Sequence, residues 1–318
     1  MSIPRRVVID TDPGIDDVVT LALAARSPEI QILAVTTTYG NAPVELTTRN
    51  ARAILRLAGR PDVPVVPGAA RPLSRPLVTA PETHGESGVG HAPVGSGIPP
   101  VSPRPTALLE VLRGVRGPIT LLTLGPLTNL AVALATDEAL VRRRVAHHIG
   151  MFGSIHERGN TNRWADFNAW CDPEAADLVI RSRIPTHMVG LDVTRLMTLS
   201  AREVRFLADS PSKMVRWLTA ALQFYVEFHR SQERLDGCVV NDVLTVGELL
   251  ARGTLGFQPL GLAVDLDDNE HRGHTRETRA EPPLPVAMTV HVGRMRHLMS
   301  RIFGNAWLGE HGQKGSNG

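Results

Sequence analysis

The chain has 318 residues, 42% of them apolar, and 34 Lys+Arg against 32 Asp+Glu give a formal net charge of +2. That composition supplies a real core and excludes the strong basic field of a nucleic-acid binder. Two cysteines, Cys171 and Cys238, exclude a disulfide framework and fit a reducing compartment, and with only Lys213 and Lys314 as lysines a catalytic lysine has few candidates.

The first apolar run, residues 7–9, predicts a buried strand; Pro13-Gly14 predicts a tight turn and residues 17–25 a helix. Further strands are expected at 30–36, 63–66, 119–124, 145–149, 187–191 and 286–292. Helices are expected at 44–58, 106–112, 127–135, 172–181, 201–208, 213–230 and 294–303, and Asn241-Asp242 opens another. In the helix at 172–181, Asp172 is the cap, Pro173 lies in the first turn and Glu174 sits near the positive end. Strand and helix alternate, which predicts an α/β protein: an open, Rossmann-like, mainly parallel sheet covered on both faces. A single domain over 1–308 is expected, with insertions at the carboxyl edge of the sheet and a frayed tail at 309–318. The Gly- and Pro-rich stretch 79–102 reads as an active-site loop. Arg5-Arg6 run straight into the first strand without a separate apolar segment, and the most apolar stretch is broken by Gly125-Pro126. The expectation is a cytoplasmic protein without a membrane span.

Four carboxylates, Asp10, Asp12, Asp16 and Asp17, follow the first strand within eight residues. They gather where a strand ends and a helix begins, the place where open α/β sheets bind ligands. Like charges this close repel by about 1 kcal/mol per pair in water and by roughly 4 near a protein surface. A helix N-terminus offsets only about 0.3–1 kcal/mol. Capping by Asp16 and Asp17 accounts for part of the run; a hard divalent cation accounts for all of it.

Several familiar motifs fail. Asp10-Thr11-Asp12 has the form used by phosphatases with an aspartate nucleophile, but Gly14 stands where their motif has Thr or Val. An EF-hand fails at Leu21, where Glu is needed. Gly85 to Gly90 lacks the spacing of a dinucleotide loop, and the histidines lack zinc spacing. Other polar residues do fall at strand ends: Thr36 to Asn41, Leu124 to Asn129, Asn160, Asp166 and Asn168, and Asn241-Asp242. Singly each suits a cap or a turn. Together they make a pocket of carboxylates and amides suited to sugar hydroxyls beside an oxygen-ligated Ca²⁺ or Mg²⁺.

With these blocks the chain resembles the nucleoside N-ribohydrolases, the inosine–uridine-preferring nucleoside hydrolases. The run Asp10-Thr11-Asp12-Pro13-Gly14-Ile15-Asp16-Asp17 is the most specific match. It is supported by His84-Gly85-Glu86-Ser87-Gly88, Gly125-Pro126-Leu127-Thr128-Asn129 and Ala165-Asp166-Phe167-Asn168. The resemblance implies Ca²⁺ held by Asp12, Asp17, Asp242 and the carbonyl of Leu124. It implies that Asp16, Asn41, Asn160, Asp166 and Asn168 grip the ribose, and that Asp12 deprotonates the attacking water. It also implies a small-molecule ribonucleoside as substrate and assembly into homodimers or homotetramers, with no nucleic-acid or membrane partner.

The departures concern the base. Many relatives carry His immediately before the last metal-ligating aspartate; here Asn241 stands there, and an amide cannot act as a general acid near neutral pH. His84 and His229 are the histidines that stand in for it, although a surface position at a helix C-terminus suits His229 equally well. Phe152 replaces a glycine of the family and is expected at the floor beneath the ribose, near the base. Two alternatives share the acidic run: a ribose- or nucleoside-binding protein without turnover, and a metal-dependent phosphatase.

Overall fold

The computed structural model describes residues 3–95, 100–304 and 307. The strands are β1 (Arg5–Thr11), β2 (Ile30–Thr37), β3 (Val65–Pro67), β4 (Ile119–Thr123), β5 (Val145–Met151), β6 (Thr186–Val189), β7 (Thr198–Ser200), β8 (Gly237–Val239), β9 (Leu255–Leu260), β10 (Leu262–Val264), β11 (Thr275–Glu277) and β12 (Leu284–Val290). The helices of the first half are α1 (Ile15–Arg26), α2 (Val44–Leu57), α3 (Pro81–His84), α4 (Ala107–Gly114), α5 (Thr128–Arg144) and α6 (Phe167–Cys171). Those of the second half are α7 (Pro173–Arg181), α8 (Leu191–Thr194), α9 (Ala201–Leu207), α10 (Lys213–Glu233), α11 (Val243–Leu250) and α12 (Val292–Phe303).

Eight strands form the central sheet in the order β3-β2-β1-β4-β5-β6-β12-β9. Every pairing in it is parallel except that of β12 with the edge strand β9. Val7, Val8 and Ile9 are fully buried, as a central parallel strand covered on both faces requires. The pleat divides them: Val7 and Ile9 join the core packed under α1, α10, α11 and α12, and Val8 joins the core under α4, α5 and α7. The strand order reverses at the β1–β4 pair, so the carboxyl ends of these two strands flank the crevice.

The expected elements all form, most of them to within two residues. The helix expected at 127–135 continues as α5, which kinks at Asp137 before a second stretch reaching Arg144. The short ladders β7–β8 and β10–β11 and the strand β9 were not expected, because three-residue strands leave no period to read. Pro259 in β9 also argues against a strand, and an edge position is where a sheet tolerates it. No helix among the described residues is long and apolar enough to cross a membrane. The tail from 309 lies outside the described residues.

Candidate active site

A cavity of about 1200 Å³ opens at the carboxyl end of the sheet. Its walls come from the start of α1, the turn after β2, α3, the segment 157–168, α8 and the second half of α10. Asp16, Asn41, Leu124, Asp166, Asn168 and Asp242 line it, as do His84, His229, Asn160 and Asn241.

Asp17 is held by the turn that places it. Its Oδ2 accepts from Gly14 N at 3.0 Å and from Asn41 Nδ2 at 2.8 Å, and its Oδ1 accepts from the Thr11 hydroxyl. Asp12 Oδ2 accepts from Asn41 N at 2.8 Å. Asp12 Oδ1 is buried and finds no hydrogen-bond partner among the described residues. A Cβ at Gly125 would collide with that oxygen, and one at Gly40 with Asp12 Oδ2, so only glycine lets these two turns pack against the carboxylate, which is fully buried beneath the cavity lining. Oxygens of Asp16, Asp17 and Asp242 all lie within 4.8 Å of one another.

Such crowding has an electrostatic consequence. Burial, then repulsion from Asp17, pushes the Asp12 carboxyl well above the ordinary range. Burial and Asp16 push Asp17 up to about 7, and burial with Asp16, Asp17 and Asp12 raises Asp242 well above its usual value. Buried carboxylates that stay ionised need positive charge. The donors are all oxygen, the set that hard cations prefer. An orphaned carboxylate oxygen and converging acids therefore fit a divalent cation.

Asp10 does not belong to this group. It shares the Val8 side of β1 and points toward α5, where it accepts from the Thr36 hydroxyl and from Asn129 Nδ2 at 2.8 Å. Burial pushes it up to about 7. The acid that completes the cluster is Asp242, at the start of α11.

The amides and the remaining acid serve the architecture as well as the cavity. Asn168 Nδ2 donates to the Leu124 carbonyl at 2.7 Å and to the Met151 carbonyl at 2.9 Å, tying β4 to β5. Asp166 caps α6, accepting from Asn168 N at 3.0 Å and Ala169 N at 2.9 Å. Asn160 Oδ1 accepts from Phe167 N at 2.8 Å. Asn41 directs its amide to Asp17 and the Asp12 carbonyl, so it braces the acids. Asn241 donates to Asp16 Oδ2 through Nδ2 at 3.0 Å and through its backbone N at 3.3 Å.

Phe152 corrects the sequence reading. It is fully buried in the core beneath α4, α5 and α7 and lies outside the cavity lining. The chain turns at the next residue, Gly153, with φ +84°, and there the backbone meets the site: Gly153 N donates to Asp166.

His229 is buried, not on the surface, and it faces the cavity from α10. Its ring centre lies 4.5 Å from that of Tyr225, which in turn is 5.4 Å from that of His84. Sequence reasoning missed Tyr225, Phe224 and Phe228, which also line the cavity. Their spacing along α10 was the available signal: aromatics three and four residues apart share one helix face.

A sequence model of the family described as inosine-uridine preferring nucleoside hydrolase matches residues 7–297. A pyrimidine-specific ribonucleoside hydrolase of Photobacterium profundum is 38% identical over 251 residues, which cover 77% of this chain and 80% of that protein. Among solved structures, a plant nucleoside hydrolase superposes with a TM-score of 0.86 at 31% identity, covering 95% of this chain and 99% of its own. A purine-preferring ribonucleoside hydrolase from Gardnerella vaginalis also reaches 0.86, at 28% identity, covering 96% of this chain and all of its own.

Proposed function

Because the chain belongs to the inosine-uridine preferring nucleoside hydrolase family, we propose that it hydrolyses the N-glycosidic bond of ribonucleosides, releasing ribose and free base, with Ca²⁺ as its metal. The observation that carries this reading is the buried Asp12 oxygen without a partner, beside the convergent Asp16, Asp17 and Asp242.

Asp12, Asp17, Asp242 and the Leu124 carbonyl would hold the cation. When bound, it supplies the positive charge that lowers the pKa of a neighbouring water. Asp12 takes that water's proton; its second oxygen stays anchored on Asn41 N, so the carboxylate keeps its aim. Asp16 receives the ribose hydroxyls, its Oδ2 braced by Asn241. Asn160, Asp166 and Asn168 line the wall that receives the rest of the sugar. The buried floor excludes bulk water and strengthens each of these contacts.

A panel of purine and pyrimidine ribonucleosides assayed for free base, with and without chelator, tests the reading. Base release that chelator stops and Ca²⁺ restores is expected. Binding of ribonucleosides without release would leave a sugar-binding protein, and phosphate release from phosphomonoesters would leave a phosphatase. Thermal unfolding gives a second readout: Ca²⁺ at about 100 times its dissociation constant should add about 2.7 kcal/mol.

A further inference from the structure

A departing nucleobase carries off the bonding electron pair and needs a proton unless it is already a stable anion. Asn241 cannot supply one, and it is engaged with Asp16. Among the described residues the cavity is lined by two histidines, His84 and His229. Their hydrogen bonds distinguish them.

His84 Nδ1 accepts the backbone N–H of Ile15 at 3.1 Å. Its lone pair is therefore committed, and the neutral ring carries its hydrogen on Nε2. Protonating it would set two N–H groups against each other at Nδ1 and lose the bond. His229 has the opposite arrangement. Its Nδ1 lies 2.8 Å from the Tyr225 carbonyl, an acceptor only, so Nδ1 carries the hydrogen. That bond survives in both protonation states, and Nε2 gains or gives up a proton without rearrangement.

We propose that His229 is the acid that protonates the leaving base, and that His84 stays neutral and serves only as a hydrogen-bond donor. This rests on the hydrolase function proposed above. In the step, the water oxygen forms its bond to C1′ as the C1′–N bond breaks, and that electron pair passes to the base. The proton of His229 Nε2 neutralises the base, and the water's proton goes to Asp12. One water is consumed, both side chains then exchange with solvent, and no other reactant is needed.

Burial lowers the pKa of His229 below the ordinary imidazole value, and Arg195, which follows α8, acts the same way. The Tyr225 carbonyl, Glu233 one turn further along α10 and Asp16 on α1 favour the protonated form and offset part of that shift. Arg195 Nη1 is 3.2 Å from Glu233 and so shields part of that carboxylate. His84, whose ring also neighbours Tyr225, resists protonation: burial holds it down at about 4 against the pull of Asp16, and positive charge on His229 lowers it further.

His229→Gln and His84→Gln, assayed on inosine, uridine and p-nitrophenyl riboside, test the assignment. The nitrophenolate leaves without a proton. His229→Gln should lower kcat on the nucleosides by about 100-fold or more, and on p-nitrophenyl riboside by less than about tenfold. The wild-type profile of kcat on nucleosides should fall as pH rises and the acid form is lost; His229→Gln should abolish that limb and His84→Gln should keep it. Equal losses on both substrate types for His229→Gln, or disappearance of the limb in His84→Gln, would overturn the assignment and leave the hydrolase reading standing. A wild-type enzyme that cleaves neither substrate class would overturn both.

Discussion

The backbone N–H of Asn41 reaches one oxygen of Asp12 at 2.8 Å, while the other oxygen of that carboxylate is buried without a partner. A group anchored on one side and unsatisfied on the other is poised for a ligand. The anchor comes from the turn after β2 and the acid from the turn after β1, so the sheet itself sets their separation.

Asp12→Asn keeps the anchor, because the amide oxygen still accepts from Asn41, but removes the base. Its kcat for base release should fall by about 10²–10⁴-fold. In chelator the variant should be no less stable than the wild type, since a buried carboxylate repelled by Asp17 has gone. Base-release kinetics and a denaturant titration check the two halves. Full activity would show that another group takes the proton.

Asp16 is buried, and its Oδ2 is already held by Asn241. A sugar lacking the 2′-hydroxyl would leave the remaining carboxylate valence unpaired, and sites built for a hydroxyl reject such analogues strongly. Uridine should exceed 2′-deoxyuridine in kcat/KM by at least about 100-fold, and Asp16→Asn should narrow that ratio. Comparable turnover of the two sugars by the wild type would remove Asp16 from ribose recognition.

Much of this was legible in the sequence, for physical reasons. Buried parallel strands are near-continuous apolar runs, so β1, β2 and β4 announced themselves, and with them the switch point that Asp12 and Asp17 follow. Asp242 was counted among the polar pocket residues, but its role as a ligand came from resemblance alone, because no local pattern says that α11 starts beside α1. Asp10 was miscounted because the pleat, invisible in a list of acids, turns it toward α5. The tautomers of His84 and His229 depend on Ile15 N and the Tyr225 carbonyl, one of them 69 positions away, and sequence carries no trace of such contacts.

Phe152 offers a test of placement. It fills the core beneath α5, so Phe152→Ala should cost about 3–5 kcal/mol in a urea titration. The ratio of kcat/KM for inosine over uridine should stay within about twofold of the wild type. A changed ratio with unchanged stability would return Phe152 to the base pocket.

His148 governs acid stability. It is fully buried between two hydroxyls, with Nε2 2.9 Å from Thr123 Oγ1 and Nδ1 3.0 Å from Thr186 Oγ1. Burial, then the neighbouring His147 and His187, push it down to about 3. Its folded value thus lies below the unfolded one near 6.5, so the unfolded chain binds the proton first as pH drops. The stability it confers is complete above 6.5 and is lost toward 3, at about 1.4 kcal/mol per pH unit. His84 acts in the same direction between 6.5 and about 4. Asp10 acts in the opposite one, because its folded value of about 7 favours the protein at low pH. A single substitution separates these contributions. Between pH 7 and pH 5, His148→Gln should lose about 2 kcal/mol less than the wild type in urea titrations, since its amide takes up no proton. If both proteins lose the same amount, His148 is already charged in the fold, with both ring N–H groups donating to the hydroxyl oxygens of Thr123 and Thr186.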